Sequence, residues 1–195
     1  MISKSFYGCE LLIFESFCSK EYSRMLFNQF YKKTTWVQND IMIFGKKHKI
    51  PRLNDWYGSV DMKYSNIHFE AKPMTKTLNQ IRSKIEKETN TFYNSVLMNL
   101  YRNGNDSMGW HSDDENIYNP TSPIASLSLG GSRWMKFKKK NIHGLGKKTL
   151  KLKLNSGDLL IMKYPTQDKL RHSIPKSLTD KESRINLTFR TVINP

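Results

Sequence analysis

Residues 184–190 read Arg184-Ile185-Asn186-Leu187-Thr188-Phe189-Arg190. Polar and apolar residues alternate without a break. A period of two is that of a β-strand, so Ile185, Leu187 and Phe189 share one face, and Arg184, Asn186, Thr188 and Arg190 the other. The same pattern marks Val96-Leu97-Met98-Asn99-Leu100-Tyr101, with Met98 and Leu100 on one side and Asn99 and Tyr101 on the other. Further strands are predicted at Ile124–Leu129, Trp134–Lys138, Thr149–Leu154 and Asp158–Met162. From Phe92 onward the chain is therefore read as sheet.

The first half reads differently. Ser19 stands where a helix wants its N-cap, before a helix from Lys20 to about Lys33 with Tyr22, Met25, Leu26 and Phe30 on one stripe. Pro73 precedes a second helix, about Thr75–Thr89, whose apolar face is Leu78, Ile81 and Ile85. Met1–Phe17 reads as an opening strand or irregular lead, Trp36–Gly45 as a strand ending at a glycine, and Lys46–Arg52 as a basic loop. Two helices followed by many short strands predict an α+β domain, helices packed on a sandwich or jelly roll. No internal repeat or low-complexity linker divides it, and the 195 residues are expected to form one domain.

Composition narrows the partners. Hydrophobic residues make up 37% and charged residues 25%, which excludes a membrane protein and a wholly disordered chain. Lys and Arg number 32 against 17 Asp and Glu, a formal net charge of +15. A phosphate-rich partner accounts for such an excess; a merely biased composition is the plain alternative. Arg133–Lys153 alone holds nine Lys or Arg and no acid, and reads either as a basic hairpin aimed at that partner or as a solvated sheet edge that lysines protect from aggregation. Two cysteines, Cys9 and Cys18, are too few for a disulfide framework, and no apolar run suits a leader or a membrane anchor. A cytoplasmic or nuclear monomer is expected.

Chemistry concentrates in His111-Ser112-Asp113, which Asp114 and Glu115 follow. His and Asp two apart on extended backbone point to the same side, and the distant His172 could complete a set of two imidazoles and one carboxylate. Such a set holds a metal on one face and leaves the other positions open, as in non-haem Fe(II) oxygenases. The plain reading is a turn histidine beside solvated acids. Three consecutive acids in so basic a chain weigh against it, since a bound cation would offset their repulsion. Arg184 and Arg190, six apart on a polar strand face, could face solvent or clamp a dicarboxylate, which guanidinium binds in a bidentate way.

Taken together these segments resemble the AlkB family of Fe(II)- and 2-oxoglutarate-dependent nucleic-acid dealkylases. The resemblance rests on Asn99-Leu100-Tyr101-Arg102-Asn103-Gly104-Asn105-Asp106 followed by Trp110-His111-Ser112-Asp113-Asp114-Glu115, on Ser122–Gly130, on Ser156–Met162 with His172-Ser173-Ile174-Pro175, and on Arg184–Arg190. Upstream, Phe44-Gly45-Lys46, Pro51-Arg52-Leu53 and Trp56-Tyr57-Gly58 also match.

The resemblance implies a double-stranded β-helix, a jelly roll with N-terminal helices on one side, in which residues 1–92 carry the nucleotide-recognition elements. It implies that His111, Asp113 and His172 bind Fe(II). Arg184, helped by Tyr101, would hold the distal carboxylate of 2-oxoglutarate. Arg190 with Asn99 would face its chelating end, and Asn186 and Thr188 lie beside them. Asp114 and Tyr64 would touch the substrate base. The implied reaction hydroxylates the N-methyl carbon of a base such as 1-methyladenine or 3-methylcytosine in DNA or RNA, with succinate, CO₂ and formaldehyde released. Ile43-Phe44-Gly45 resembles the apolar finger of the duplex-active branch. Trp110-His111-Ser112, Trp56-Tyr57-Gly58 and Phe189-Arg190-Thr191-Val192 resemble the branch favouring single strands. An RNA-directed demethylase, a hydroxylase of protein side chains and an inactive binding module are the alternatives. The basic balance opposes the protein hydroxylase, and the full set of candidate ligands and arginines opposes the inactive module.

Overall fold

The computed structural model describes residues 1–43, 45–64, 67–140 and 148–193. The opening segment is a hairpin, β1 (Ile2–Phe6) and β2 (Cys9–Phe14), turned at Tyr7 and Gly8, both at positive φ. Helix α1 (Lys20–Lys33) follows, its Ser19 Oγ accepting from the Tyr22 N–H. The buried stripe of α1 differs from expectation by one member. Leu26 and Phe30 are buried, but Met25 is exposed and Ser23 faces inward, where its hydroxyl donates to the Cys18 carbonyl at 3.3 Å.

The strand expected over Trp36–Gly45 contracts to β3 (Asp40–Ile43), and the expected basic loop instead begins with β4 (Lys46–Lys49), paired antiparallel to β3. Next come β5 (Leu53–Gly58), β6 (Met62–Tyr64) and β7 (Ile67–Phe69). Helix α2 (Lys76–Thr89) starts at Thr75, whose Oγ1 accepts from the Leu78 N–H, and stops at Asn90 in the left-handed region. The rest is β8 (Ser95–Tyr101), β9 (Met108–His111), β10 (Ile124–Gly130), β11 (Arg133–Lys139), β12 (Leu150–Leu154), β13 (Leu159–Met162), the short α3 (Thr166–Lys169), β14 (Leu170–Ile174) and β15 (Arg184–Arg190).

The strands form a seven-stranded sheet in the order β1-β2-β13-β10-β15-β8-β5 and a four-stranded sheet in the order β12-β11-β14-β9, with β3-β4 and β6-β7 as separate pairs. The named strands all pair antiparallel. Two sheets and few helices make a jelly-roll-type architecture.

The alternation in β8 and β15 sorts side chains between two regions. Met98, Leu100, Ile185, Leu187 and Phe189 share one apolar cluster with Leu26, Phe30, Leu78, Ile81 and Ile85 of the helices. Truncating one such buried leucine to alanine typically costs about 2–5 kcal/mol. Gly130 makes close packing with α1 possible: at φ 84°, a Cβ there would run into the Phe27 ring. The opposite faces point toward the small sheet, where a second cluster joins Leu11, Leu160 and Met162 to Met135, Phe137 and Leu170. The polar members Asn99, Asn186, Thr188 and Arg190 face a cavity on this side.

No helix among the described residues is long and apolar enough to cross a membrane. Cys9 and Cys18 are both buried and form no disulfide.

Candidate active site

His111 ends β9 and stands directly opposite His172 of β14 in the ladder. That register brings two rings 61 residues apart in sequence to 4.2 Å between centroids. Asp113 follows two residues after His111. Its carboxylate lies 3.5 Å from His111 Nε2 and 4.0 Å from His172 Nε2. One ligand atom from each of the three falls within 4.8 Å of the others. The backbone between them is held on both sides: Ser112 Oγ donates to the Leu170 carbonyl at 2.8 Å, and the Asp113 N–H donates to Gln167 Oε1 at 3.0 Å. His111 Nδ1 lies 2.9 Å from the Gly109 carbonyl oxygen. A proton on Nδ1 satisfies that carbonyl and leaves the Nε2 lone pair facing the other two groups.

The electrostatics suit a metal ligand set. Burial alone would raise the Asp113 carboxyl, but the Arg190 guanidinium and the two imidazoles outweigh it and hold the group well below the usual carboxylate range. Burial, then His111 and Arg190, push His172 down to about 3 against the opposing pull of Asp113, so its imidazole is neutral at physiological pH. Burial would lower Arg190, and Asp113 with Tyr118 raises it instead. Arg190 Nη2 donates to Asp113 Oδ2 at 2.8 Å, whereas Nε and Nη1 of the same buried guanidinium have no hydrogen-bond partner among the described residues. Unused buried donors beside two imidazoles and a carboxylate fit Fe(II) together with an anionic chelator.

A second cationic spot lies along the same face. Arg184 is fully buried. Its Nη2 donates to Ser128 Oγ at 2.9 Å, and Nε and Nη1 have no partner among the described residues. Its guanidinium carbon and that of Arg133 each lie 5.5 Å from the centroid of the Tyr101 ring. Arg133 is fully engaged, donating to the carbonyls of Asn103, Asp106 and Pro175 and pairing with Asp180 at 3.2 Å. Burial pushes Arg184 down to about 10, with Tyr101 opposing and Arg133 adding to the shift. Two desolvated cations face Asp180 and the field of Asp106, a carboxylate that Arg102 already grips, and so form a ready place for an anion. Arg184 itself stands behind the cavity wall that Tyr101 lines.

Sequence reasoning missed several members of this site. Asn99 Oδ1 accepts from Arg52 Nε at 3.0 Å and from Asn54 Nδ2 at 2.6 Å, which leaves the Asn99 amide NH₂ as its other polar end. Asn54 sits opposite Asn99 in the β5–β8 ladder, so strand register was the only signal for it. Glu115 lines the cavity with Oε2 unpartnered among the described residues, and burial followed by Asp113 raises its carboxyl. Asp114 does not line this cavity; it is half exposed to solvent and paired with Lys140 at 2.8 Å. Gly45 and Lys46 are exposed at the turn and start of the β3–β4 hairpin, away from the cavity lining, and Tyr64 ends β6. Phe44 lies outside the described residues. Ile50, Met62, Phe69, Met108 and Ile174 give the cavity apolar walls.

Residues 10–190 match the family profile of the 2OG-Fe(II) oxygenase superfamily. Over 173 residues the chain is 39% identical to the Bos taurus protein named alpha-ketoglutarate-dependent dioxygenase alkB homolog 3, an alignment covering 86% of this chain and 60% of that protein. It is 32% identical over 213 aligned positions to the Arabidopsis thaliana DNA oxidative demethylase ALKBH2, covering 96% of this chain and 68% of the relative. The solved structure of OsALKBH1 superposes with a TM-score of 0.64 at 15% identity, covering 93% of this chain and 97% of that one. The chain thus spans about three fifths of the length of the bovine relative.

Proposed function

Since the chain belongs to the AlkB family of the 2OG-Fe(II) oxygenase superfamily, we propose that it oxidatively demethylates N-alkylated bases of the 1-methyladenine and 3-methylcytosine type in DNA and RNA, in repair of alkylation damage. The observation that carries this reading is the His111, Asp113 and His172 cluster with unused donors of buried Arg190 beside it and those of Arg184 behind Tyr101.

His111, Asp113 and His172 would hold Fe(II). Arg184, with Tyr101 and Asn186, would hold the far carboxylate of 2-oxoglutarate. Arg190, Asn99 and Thr188 would serve its metal-facing end, where Arg52 and Asn54 keep the Asn99 oxygen occupied and its NH₂ available to an anion. When bound, iron and 2-oxoglutarate supply the oxidation: O₂ is consumed, succinate and CO₂ leave, and the N-methyl carbon gains a hydroxyl, from which formaldehyde is lost.

The chain's own work is orientation and exclusion. Arg190 keeps Asp113 ionised, burial keeps His172 neutral, and Met62, Phe69 and Met108 keep water from the reacting carbon. Asp114, at the rim with Glu115 beside it, and Tyr64 would read the base. A base must leave its stack to reach so enclosed a site. Phe44, with Gly45 and Lys46, would probe the duplex where a base has been extruded.

One domain would span residues 1–195, with recognition elements in 1–92 and helices α1 and α2 on one side, a packing supported by the apolar cluster they share with β8 and β15. A monomer inside the cell completes the reading; the two free cysteines support the reducing compartment.

The test is incubation with matched single- and double-stranded DNA and RNA carrying 1-methyladenine or 3-methylcytosine, with Fe(II) and 2-oxoglutarate. Base mass, formaldehyde and succinate are read together. Demethylation coupled one-to-one to succinate is expected; no change of base mass on any of the four would overturn the reading.

A further inference from the structure

The outer face of the four-stranded sheet carries a second feature. Trp134 stands opposite Lys153, and Lys136 opposite Lys151, so these four side chains share one face of the β11–β12 ladder. Lys136 also pairs with Ser173, and Lys138 with Arg171, which extends the same face across β14. Trp110 of β9 joins it at the sheet edge, where Lys138 Nζ lies 4.5 Å above its ring. Five cations and two tryptophans thus cover a patch roughly 15 Å wide, given strand spacings of about 4.8 Å.

Three properties set this patch apart from an ordinary solvated face. Among the described residues, none of Lys136, Lys138, Lys151, Lys153 and Arg171 belongs to a side-chain ion pair. None of the residues that alternate onto it is acidic. Trp134 is 46% and Trp110 38% exposed, although two large indoles so placed could have been buried. Lysine alone would protect a sheet edge from pairing. Exposed indoles do the opposite unless something stacks on them.

We propose that this face is a docking surface for single-stranded nucleic acid, the segment flanking the base under repair. Its cations would follow the phosphates and its indoles would stack bases, the combination that binds single strands without reading sequence. Trp110 precedes His111 and Arg171 precedes His172, so the face is the back of the wall that carries the candidate metal ligands. Since β9 is the edge strand, a chain crossing the face arrives at the edge beside His111, which lines the cavity. The inference rests on the nucleic-acid reading above but concerns a surface outside the cavity.

Fluorescence anisotropy of an unmodified 20-nucleotide DNA single strand, without iron or 2-oxoglutarate, tests it. The Lys151→Glu/Lys153→Glu variant should weaken binding at least tenfold. The neutral Lys151→Gln/Lys153→Gln variant, which removes the charges with less strain, should lower the slope of log K against log salt by about 1.4, near 0.7 per lost phosphate contact. Trp134→Ala should weaken single-strand binding about tenfold and Trp134→Phe much less. All four should keep normal turnover of a methylated mononucleotide, which is too small to reach the patch.

Unchanged affinity and salt slope in both lysine variants would overturn the proposal and leave an edge protected by lysines. Equal losses on duplex and single strand with Trp134→Ala silent, or equal displacement by polyglutamate, would overturn the stacking surface in favour of a nonspecific cationic face. Absent mononucleotide turnover in the unaltered protein would instead sink the catalytic reading, whatever the binding result.

Discussion

Arg190 on the large sheet meets Asp113, which follows the edge strand of the small one: Nη2 donates to Oδ2 at 2.8 Å with both side chains buried. The pair joins the two sheets at the point where the candidate metal ligands converge. Asp113 would serve two purposes, as a ligand and as the counter-charge of a buried cation. Removing it should separate them. Asp113→Ala is expected to abolish turnover and to leave Arg190 uncompensated, at a cost of about 3–5 kcal/mol, or a melting temperature lower by roughly 10 °C. In the Asp113→Ala/Arg190→Met double variant, at least half of that loss should return while turnover stays absent. Formaldehyde release and thermal unfolding of the three proteins decide the matter. Near-normal turnover in Asp113→Ala would refute the ligand role, and simply additive melting losses would refute the coupling.

Arg184 tests the second cationic spot. Its Nε and Nη1, without a partner among the described residues, and its place beside Tyr101 suit a carboxylate taken in a bidentate grip. Lysine keeps the charge but loses the fork. Arg184→Lys should therefore raise the 2-oxoglutarate concentration needed for half-maximal turnover at least tenfold while nucleic-acid affinity changes less than twofold. Equilibrium dialysis of labelled 2-oxoglutarate gives the first quantity apart from turnover. Weakened nucleic-acid binding with unaltered 2-oxoglutarate binding would show the clamp to be misassigned.

Phe44 tests the strand preference. Extruding a base leaves a hole in the stack, and unstacking costs a few kcal/mol. An apolar side chain inserted there recovers part of it. Gly45 follows Phe44 in sequence, and the exposed Lys46 and Lys47 that open β4 can hold phosphates, whereas Lys49 pairs with Asp40. Phe44→Ala should impair duplex repair at least tenfold more than single-strand repair, with little change in melting temperature. Equal loss on both substrates with a lowered melting temperature would make Phe44 a core residue and retire the duplex finger.

What could be read in advance, and what could not, follows from the range of the forces involved. Both helices announce themselves through local features, Ser19 and Thr75 as caps and stripes such as Leu78, Ile81 and Ile85. The site face of β15 is legible because one of its sides meets an apolar cluster and the other a polar cavity, so alternation survives. Strand β5 loses it: each face buries one polar and one aromatic residue, Asn54 with Trp56 and Asp55 with Tyr57, so no apolar alternation survives. Lys46–Lys49 has almost no intrinsic strand preference and is a strand through its ladder with β3. The β1–β2 turn puts Tyr7 at φ 52°, where asparagine or glycine would have signalled a hairpin. Asn54, through strand register, and Arg52, from the bend just before β5, join the site at Asn99, more than 40 residues away.

Asp106 offers a test of stability against pH away from the candidate metal ligands. Burial would raise its carboxyl, but Arg102 outweighs that: Nε and Nη2 donate to the two carboxylate oxygens at 2.8 Å each, the Arg102 backbone N–H donates at 2.9 Å, and Arg133 adds its field. The folded-state pKa thus lies below the unfolded one. A group of this kind contributes stability in full above its unfolded pKa, near 3.9, and loses it as pH falls through the folded value. Asp106→Asn removes the charge at every pH. The variant should therefore be less stable than the parent at pH 7 by about 1–2 kcal/mol, the low end for charged hydrogen bonds because Arg102 is partly solvated. The difference should hold constant down to about pH 5, then shrink as Asp106 of the parent protonates. Urea unfolding of both proteins at pH 7, 5, 4 and 3 measures it. A gap that stayed constant to pH 3 would mean that shape and packing at this turn, rather than the Arg102–Asp106 charge pair, set the cost of the substitution.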